Sequence, residues 1–370
     1  MKAIAITPSV AGVKLVERDE PRVEAEDDIK IKVLRVGICG TDREEDAGGR
    51  AQAPSGQQDL VIGHEMFGLV EETGGAVTRV QKGDYAVFTV RRGCGNCLPC
   101  LMNRPDMCRT GKYTERGIWG QDGYQTEHVV DKEQYIVRVP RDLESVGVLL
   151  EPLSVSEKAI DEAVRVQSAR LPDFQSTPLW LFGKRCLVAG LGPIGLLAAM
   201  TLRLRGAIVY GLDVVDSSTT RPQWLTAIGG QYVNGKTITP AQLGNTTGGM
   251  DLILEATGVP LVELNLLDAL GDNGVYVLTG IPGGDRPLQI DGAEIIRRLV
   301  LKNQVMLGSV NAARDHFQMA VEDLQSAMRS WQSLVQALIT HRYTPGQSTQ
   351  AFESHEADEI KTVIEWSETS

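Results

Sequence analysis

The chain has 370 residues, too many for one ordinary hydrophobic core, so two domains are expected. Its residues are 42% hydrophobic and 23% charged, as in soluble globular proteins, and a formal net charge of -11 argues against a phosphate-backbone partner. The first residues lack the apolar core of a signal peptide, and no stretch approaches the ~20 apolar residues of a membrane helix, so a cytoplasmic protein with no membrane partner is expected.

Residues 1 to 150 read mostly as strands. "KAIAIT", "DIKIKVLRVGIC", "FGLVEETG", "DYAVFTV" and "YQTEHVV" are rich in Val, Ile, Thr and Tyr, alternate in part, and are separated by glycine turns. A β-rich, barrel-like domain is expected. "EPLSVSEKAIDEAVRVQ" has helical spacing, with Ala159, Ile160, Ala163 and Val164 on one face. "SARLPDFQSTPLWLFG" reads as an irregular connector. Then "RCLVAGLGPIGLLAAMTLRLRGAIVYGLD" runs as strand, glycine turn, apolar helix and second strand. "MDLILEATG", "GVYVLTG" and "QVMLGSV" are further strands between helical stretches. Alternation of this kind predicts an α/β domain with a doubly wound parallel sheet. "RDHFQMAVEDLQSAMRSW" is a long amphipathic helix, and "KTVIEW" a short final strand.

Four of the six cysteines crowd into "VRRGCGNCLPCLMNRPDMCRTG". Cys94, Cys97, Cys100 and Cys108 read C-x2-C-x2-C-x7-C, and four thiolates close a tetrahedron around Zn2+ with no open position. Unrelated buried thiols and an iron–sulfur cluster are the alternatives. A closed zinc site performs no chemistry; it staples a loop. Gly190, Gly192 and Gly195 form G-x-G-x-x-G around Leu191, Pro193 and Ile194, with a strand before and a helix after. The helix N-terminus would face a pyrophosphate. Asp213, 18 residues after Gly195, would accept hydrogen bonds from a ribose. A carboxylate there, followed by Val214 and Val215, favours NAD over NADP, although Arg221 could swing in. Thr257, Gly258 and Gly280 are further candidate cofactor contacts.

A second set is scattered: Cys39 in "GICGTD", His64 and Glu65 in "GHEMFG", and Glu151 in "LLEPLS". Taken singly, each has an ordinary structural reading. Together, a thiolate, an imidazole and carboxylates suit an open, catalytic zinc site with water in the fourth position.

"GICGTD", "GHE", the four-cysteine loop, "GLGPIG" and the domain order resemble the zinc-dependent medium-chain dehydrogenases, the alcohol dehydrogenase superfamily, over essentially the whole chain. "RRGCGNC", "NRPDMC", "TERGI", "DGYQTEHVV" and "GSVNAARDHF" resemble its glucose (aldose) 1-dehydrogenase branch. The resemblance implies a GroES-like β-barrel catalytic domain at residues 1–155 and 312–370, and a Rossmann NAD(P)-binding domain at 156–311. It implies an active site in the cleft, one catalytic and one structural zinc, and a homodimer or homotetramer. By the same resemblance Cys39 and His64 are primary zinc ligands. Glu151 binds directly or through water, and Glu65 exchanges on and off the metal. Thr41 relays the substrate proton, Glu115 holds sugar hydroxyls, and Asn311 lies near nicotinamide and sugar. Val90 and Leu301 depart from the branch, which often has asparagine and histidine there. Both replace polar sugar contacts with apolar ones.

The expected reaction is oxidation of the C1 hydroxyl of an aldose, with the C1 hydride passing to NAD(P)+, giving a lactone. A zinc dehydrogenase of another polyol, cyclitol or secondary alcohol is the alternative, and a non-catalytic zinc-binding or nucleic-acid-binding protein a remote one.

Overall fold

A computed structural model describes residues 1–172, 179–283, 287–354 and 356–367. The chain forms two compact units, Met1–Ser154 with Asn311–Ser370, and Val155–Val310. Val155 thus belongs to the second unit and Asn311 to the first, one residue from the expected bounds on each side. The Asn311 side chain donates to Glu115, a residue of the same unit.

The first unit is built on a seven-stranded sheet. Its path runs Ile136–Val139, Tyr85–Phe88, Glu65–Thr73, Asp28–Ile38, Lys361–Glu365, Ile339–Tyr343, with His128–Lys132 also paired to Asp28–Ile38. Alternating residues of the long strand Asp28–Ile38 explain its place at the centre. Ile29, Ile31, Val33 and Val36 are buried, and Ile29, Ile31 and Val36 pack with Met66, Val70, Phe88, Tyr124 and Ile136. Two small sheets flank this one. Lys14–Glu17, Lys2–Ile6 and Leu60–Val61 form one, and Arg91–Arg92, Thr114–Arg116 and Gly120–Gln121 the other.

The last sheet buries charge. Arg92 and Arg116 both donate to Asp131 Oδ2, at 2.6 Å and 2.9 Å, and Arg92 also reaches Tyr124 Oη at 3.1 Å. The Arg92 guanidinium lies 3.9 Å from the centre of the Tyr135 ring. Sharing one carboxylate is what lets these charged residues occupy a core position.

The second unit is a six-stranded, wholly parallel sheet, in the order Gln231–Asn234, Ile208–Asp213, Arg185–Ala189, Met250–Glu255, Leu270–Leu278, Val305–Gly308. The order reverses between Arg185–Ala189 and Met250–Glu255, where open α/β sheets bind ligands at the strand ends. Leu187, Ile253 and Tyr276, on three adjacent strands, are buried with Leu243, Leu266 and Leu270. Both faces of such a sheet are covered, hence the nearly unbroken apolar runs.

The helix read at 151–167 is Leu150–Arg170, so it takes in the start of the expected connector. Residues 173–178 of that connector lie outside the described residues. Among the described residues no helix is long and apolar enough to cross a membrane.

Burial alone would raise the Asp131 carboxyl, but the Arg116 and Arg92 guanidiniums outweigh it and hold it down to about 2. Its contribution to stability is therefore full above the ordinary value of 3.8 and is lost as pH falls through about 2. Asp131→Asn is expected to cost about 3–5 kcal/mol near neutral pH, since two buried guanidiniums lose their counter-charge. Urea unfolding at descending pH should show the gap between the two proteins closing over that window; a gap independent of pH would contradict the assignment.

Candidate active site

Three adjacent strands bring the first site together. Glu65 pairs with Gly37, and Thr362 with Ile38, so Glu65, Cys39 and Lys361 collect at one end of the sheet. Cys39 leaves its strand as the N-cap of the helix Gly40–Asp46. Its Sγ accepts the Thr41 N–H at 3.1 Å, while Asp42 Oδ2 accepts the Cys39 N–H at 2.9 Å. The cap fixes where the thiol points. Gly37 has no side chain for a physical reason, because a Cβ there would stand 1.9 Å from Glu65 Oε2.

Cys39 Sγ and His64 Nε2 approach to 3.1 Å, and one ligand atom each from Cys39, His64 and Glu65 lie within 4.8 Å of one another. Asp42 Oδ1 stands 3.3 Å behind His64 Nδ1, which turns Nε2 toward the thiol. Burial works to lower the His64 pKa, but the Cys39 and Asp42 charges prevail and raise it well above the ordinary imidazole value. Burial pushes the Glu151 carboxyl up to about 7; His64 opposes that and Glu65 adds to it. Glu151 is thus within electrostatic reach of the centre but outside its tightest group. This donor set fits a zinc ion with a position left for substrate.

Sequence reasoning missed two residues here. Asp42 was in plain view in "GICGTD", and its sequence context gives no hint that it backs His64. Lys361 is buried, and its Nζ lies 2.7 Å from both Glu65 carboxylate oxygens and 3.0 Å from the Ile38 carbonyl. It is separated from Glu65 by 296 positions, so only the strand pairing reveals it.

The four-cysteine loop also converges. The Sγ atoms of Cys94, Cys97, Cys100 and Cys108 all lie within 4.8 Å of one another. The Thr110 hydroxyl and the Asn96 and Cys97 backbone hold the Cys94 thiol down to about 6, while burial pushes Cys100 up to about 12. A Cβ on Gly93 would meet Cys100 Sγ at 2.4 Å. Four converging thiols, with space made for them by a glycine, fit a closed metal site.

Nearby, Glu115 is buried on the strand Thr114–Arg116, and Asn311 Nδ2 donates to its Oε1 at 2.8 Å. Asn311 sits at φ +62°, held by its own Oδ1 accepting the Ala312 N–H. Val90 is buried, and Thr41 is half-buried.

In the second unit, Gly190 follows the strand Arg185–Ala189 at φ +87°. A Cβ on Gly195 would meet the Gly190 carbonyl at 1.8 Å, whereas nothing lies within 4 Å of one on Gly192. The first and third glycines therefore serve packing, and the second leaves the helix N-terminus at Pro193 open for phosphate. Leu191 and Ile194 lie in the same turn and first helical turn. Asp213 ends the next strand. Its Oδ2 accepts the Leu191 N–H at 2.9 Å and its Oδ1 the Val214 N–H at 2.6 Å. Glu255, also unforeseen, is buried and accepts from the Thr257 and Gly258 N–H groups, while a Cβ on Gly280 would stand 2.3 Å from Gly258 N. Leu301 is 73% exposed at the end of the helix Gly292–Leu301.

A dinucleotide-type sheet, in one chain with a β-rich unit bearing a thiolate–imidazole–carboxylate centre, is the organisation of a medium-chain dehydrogenase. Residues 25–141 match the alcohol dehydrogenase GroES-like domain, and residues 144–366 the glucose dehydrogenase C-terminus. Glucose 1-dehydrogenase of Methanocella arvoryzae is 35% identical and glucose 1-dehydrogenase 1 of Caldivirga maquilingensis 38%, each over 99% of both chains. The solved structure of Haloferax mediterranei glucose dehydrogenase with NADP, Zn and gluconolactone superposes with a TM-score of 0.89 at 32% identity, covering 100% of both chains. The chain belongs to the glucose 1-dehydrogenase family of zinc-dependent medium-chain dehydrogenases.

Gly195→Ala is expected to weaken coenzyme binding by about tenfold or more, since the glycine turn must open to admit a methyl group. Titration of nicotinamide fluorescence would measure it, with zinc content unchanged. Coenzyme affinity equal to wild type would contradict the packing role.

Proposed function

We propose that the protein oxidises the C1 hydroxyl of an aldose to a lactone, passing the hydride to NAD(P)+. The observation that carries this is the convergence of Cys39 Sγ and His64 Nε2 at 3.1 Å beside Glu65, in the unit that also holds Glu115 and Asn311. The relatives named above support the sugar. Cys39, His64 and a carboxylate, Glu151 or Glu65, would hold a zinc ion, which would supply Lewis acidity to the reacting hydroxyl, and a nicotinamide held by the second unit would take up the hydride from C1. Lys361, on both oxygens of Glu65, competes with the metal for that carboxylate and favours Glu151 as the third ligand. Thr41 relays the hydroxyl proton away. Glu115 accepts a ring hydroxyl, and Asn311 keeps its carboxylate in place. Cys94, Cys97, Cys100 and Cys108 would hold a second, structural zinc.

Asp213 favours NAD. Two backbone N–H groups fix its carboxylate at the strand end, where it accepts from a ribose and repels a 2′-phosphate, and the exposed Val214 has no charge to answer one. Leu191, Pro193, Ile194 and the three glycines would hold the pyrophosphate, with Thr257, Gly258 and Gly280 closing the far side. Buried, apolar Val90 favours a second reading, a less hydroxylated polyol, cyclitol or secondary alcohol, because a polar contact is absent there. Leu301 is 73% exposed, so unlike Val90 it adds no buried apolar contact to this reading. A homo-oligomer is also proposed. Ile296, Val300 and Leu301 are 64–73% exposed on one helix, beside the edge strand Val305–Gly308.

Zinc-loaded protein assayed with NAD+ and NADP+ across aldoses, polyols, cyclitols and simple alcohols should turn over an aldose with NAD+ preferred. Turnover confined to polyols, cyclitols or simple alcohols, with no aldose oxidised, would overturn the sugar reading. Asp213→Arg with Val214→Arg should move the NADP+/NAD+ ratio of kcat/KM upward by about tenfold or more, as one repulsive charge contact becomes attractive. An unmoved ratio would remove Asp213 from coenzyme choice.

A further inference from the structure

We propose that Arg91 is a positioning residue through which the folding of the four-cysteine loop sets the geometry of Glu115. The inference rests on the reading of Glu115 as a sugar ligand and gives the loop a part in substrate binding.

Arg91 and Glu115 are direct partners on antiparallel strands. All four clustered cysteines lie on the excursion the chain makes between them. The loop is thus an insertion whose two ends are the arginine and the carboxylate. Arg91 Nε and Nη2 donate to the same oxygen, Glu115 Oε1, at 3.0 Å and 2.9 Å. Asn311 Nδ2 donates to that oxygen too, at 2.8 Å. Three donors load Oε1, and among the described residues no hydrogen bond reaches Oε2.

An arginine free to choose would span both oxygens of a carboxylate in a parallel fork. The loop instead anchors the Arg91 guanidinium where its Nε and Nη2 edge meets a single oxygen. Its Nη1 donates to the Asp106 carbonyl at 2.8 Å, and its guanidinium lies 4.1 Å from the centre of the Tyr113 ring. Both partners belong to the insertion. Asp106 lies in the short 3-10 turn Pro105–Met107 immediately before Cys108, and its side chain is buried against Arg104. With the loop folded around its four thiols, the Asp106 carbonyl holds the guanidinium back, and Oε2 stays available to a substrate hydroxyl. With the loop loosened, the guanidinium is released to take both oxygens. The loop then acts on affinity for a hydroxylated substrate, and the hydride step is left alone.

The test compares wild type, Arg91→Met, Arg91→Lys and Tyr113→Leu as zinc-loaded full chains. It uses the aldose that wild type oxidises fastest and reads kcat and KM for sugar and coenzyme, zinc content and thermal unfolding. Arg91→Met should raise the sugar KM by about tenfold or more, with kcat and the coenzyme KM within about twofold, the signature of lost binding common to ground and transition states. Arg91→Lys should recover part of the loss, and Tyr113→Leu should raise the sugar KM by a smaller factor without loss of zinc. Partial zinc removal by a chelator, followed in parallel by thiol titration, should raise the sugar KM as the loop thiols become reactive. An unchanged sugar KM in folded Arg91→Met or Tyr113→Leu would overturn the proposal. A fall in kcat, coenzyme affinity and zinc content together would overturn it in favour of a purely structural role. Wild-type protein inactive on every aldose would instead remove the functional reading beneath it, and the proposal with it.

Discussion

The structure depends on how it accommodates buried negative charge at one end of a sheet. Cys39, Asp42, Glu65 and Glu151 gather around the buried imidazole of His64. A low-dielectric interior makes unpaired charge costly. Lys361 answers part of it from the neighbouring strand, while burial, with a smaller push from Glu65, raises the Glu151 carboxyl to about 7. A divalent cation is the natural complement. Everything that fixes the site follows from keeping those side chains in place. The core set by Ile29, Ile31, Val36 and Met66 holds the strand register, Gly37 makes room for Glu65, and the Cys39 cap aims the thiol.

The same unit solves the problem differently away from the Cys39–His64 cluster. Arg92 and Arg116 are buried on one carboxylate, Asp131, and Arg91 on another, Glu115. These pairs stand next to the four-cysteine loop, whose thiols face one another and leave no direction open. On the proposed reading the open centre would supply reactivity, and the closed one, with its surrounding ion pairs, rigidity. In the second unit, charge is used sparingly. Asp213 and Glu255 each tie down backbone N–H groups at the ends of parallel strands, the place where open α/β sheets of this kind bind ligands.

Much of this was legible in the sequence. The α/β class, the parallel sheet and the cysteine and glycine motifs follow from spacing, because metal tetrahedra and phosphate turns tolerate few alternatives. The strands Arg91–Arg92 and Thr114–Arg116 were not legible: they are short and charged, and their burial depends on partners such as Asp131 and Glu115. Gln231–Asn234 and Ile339–Tyr343 are mainly polar and carry no alternation. Lys361 lay inside "KTVIEW", correctly read as a strand, yet its role depends on pairing with Asp28–Ile38. Long-range pairing is what a local pattern does not encode.

The central claim is that sugar reacts at the Cys39–His64 centre. The visible spectrum of the cobalt-substituted protein tests it most directly, recorded while an aldose or its lactone is added. The bands of cobalt at the open centre are expected to shift on addition, the bands of the four-thiolate site to stay constant, and the shift to vanish in Cys39→Ser. A spectrum unmoved by a lactone that demonstrably binds would contradict it.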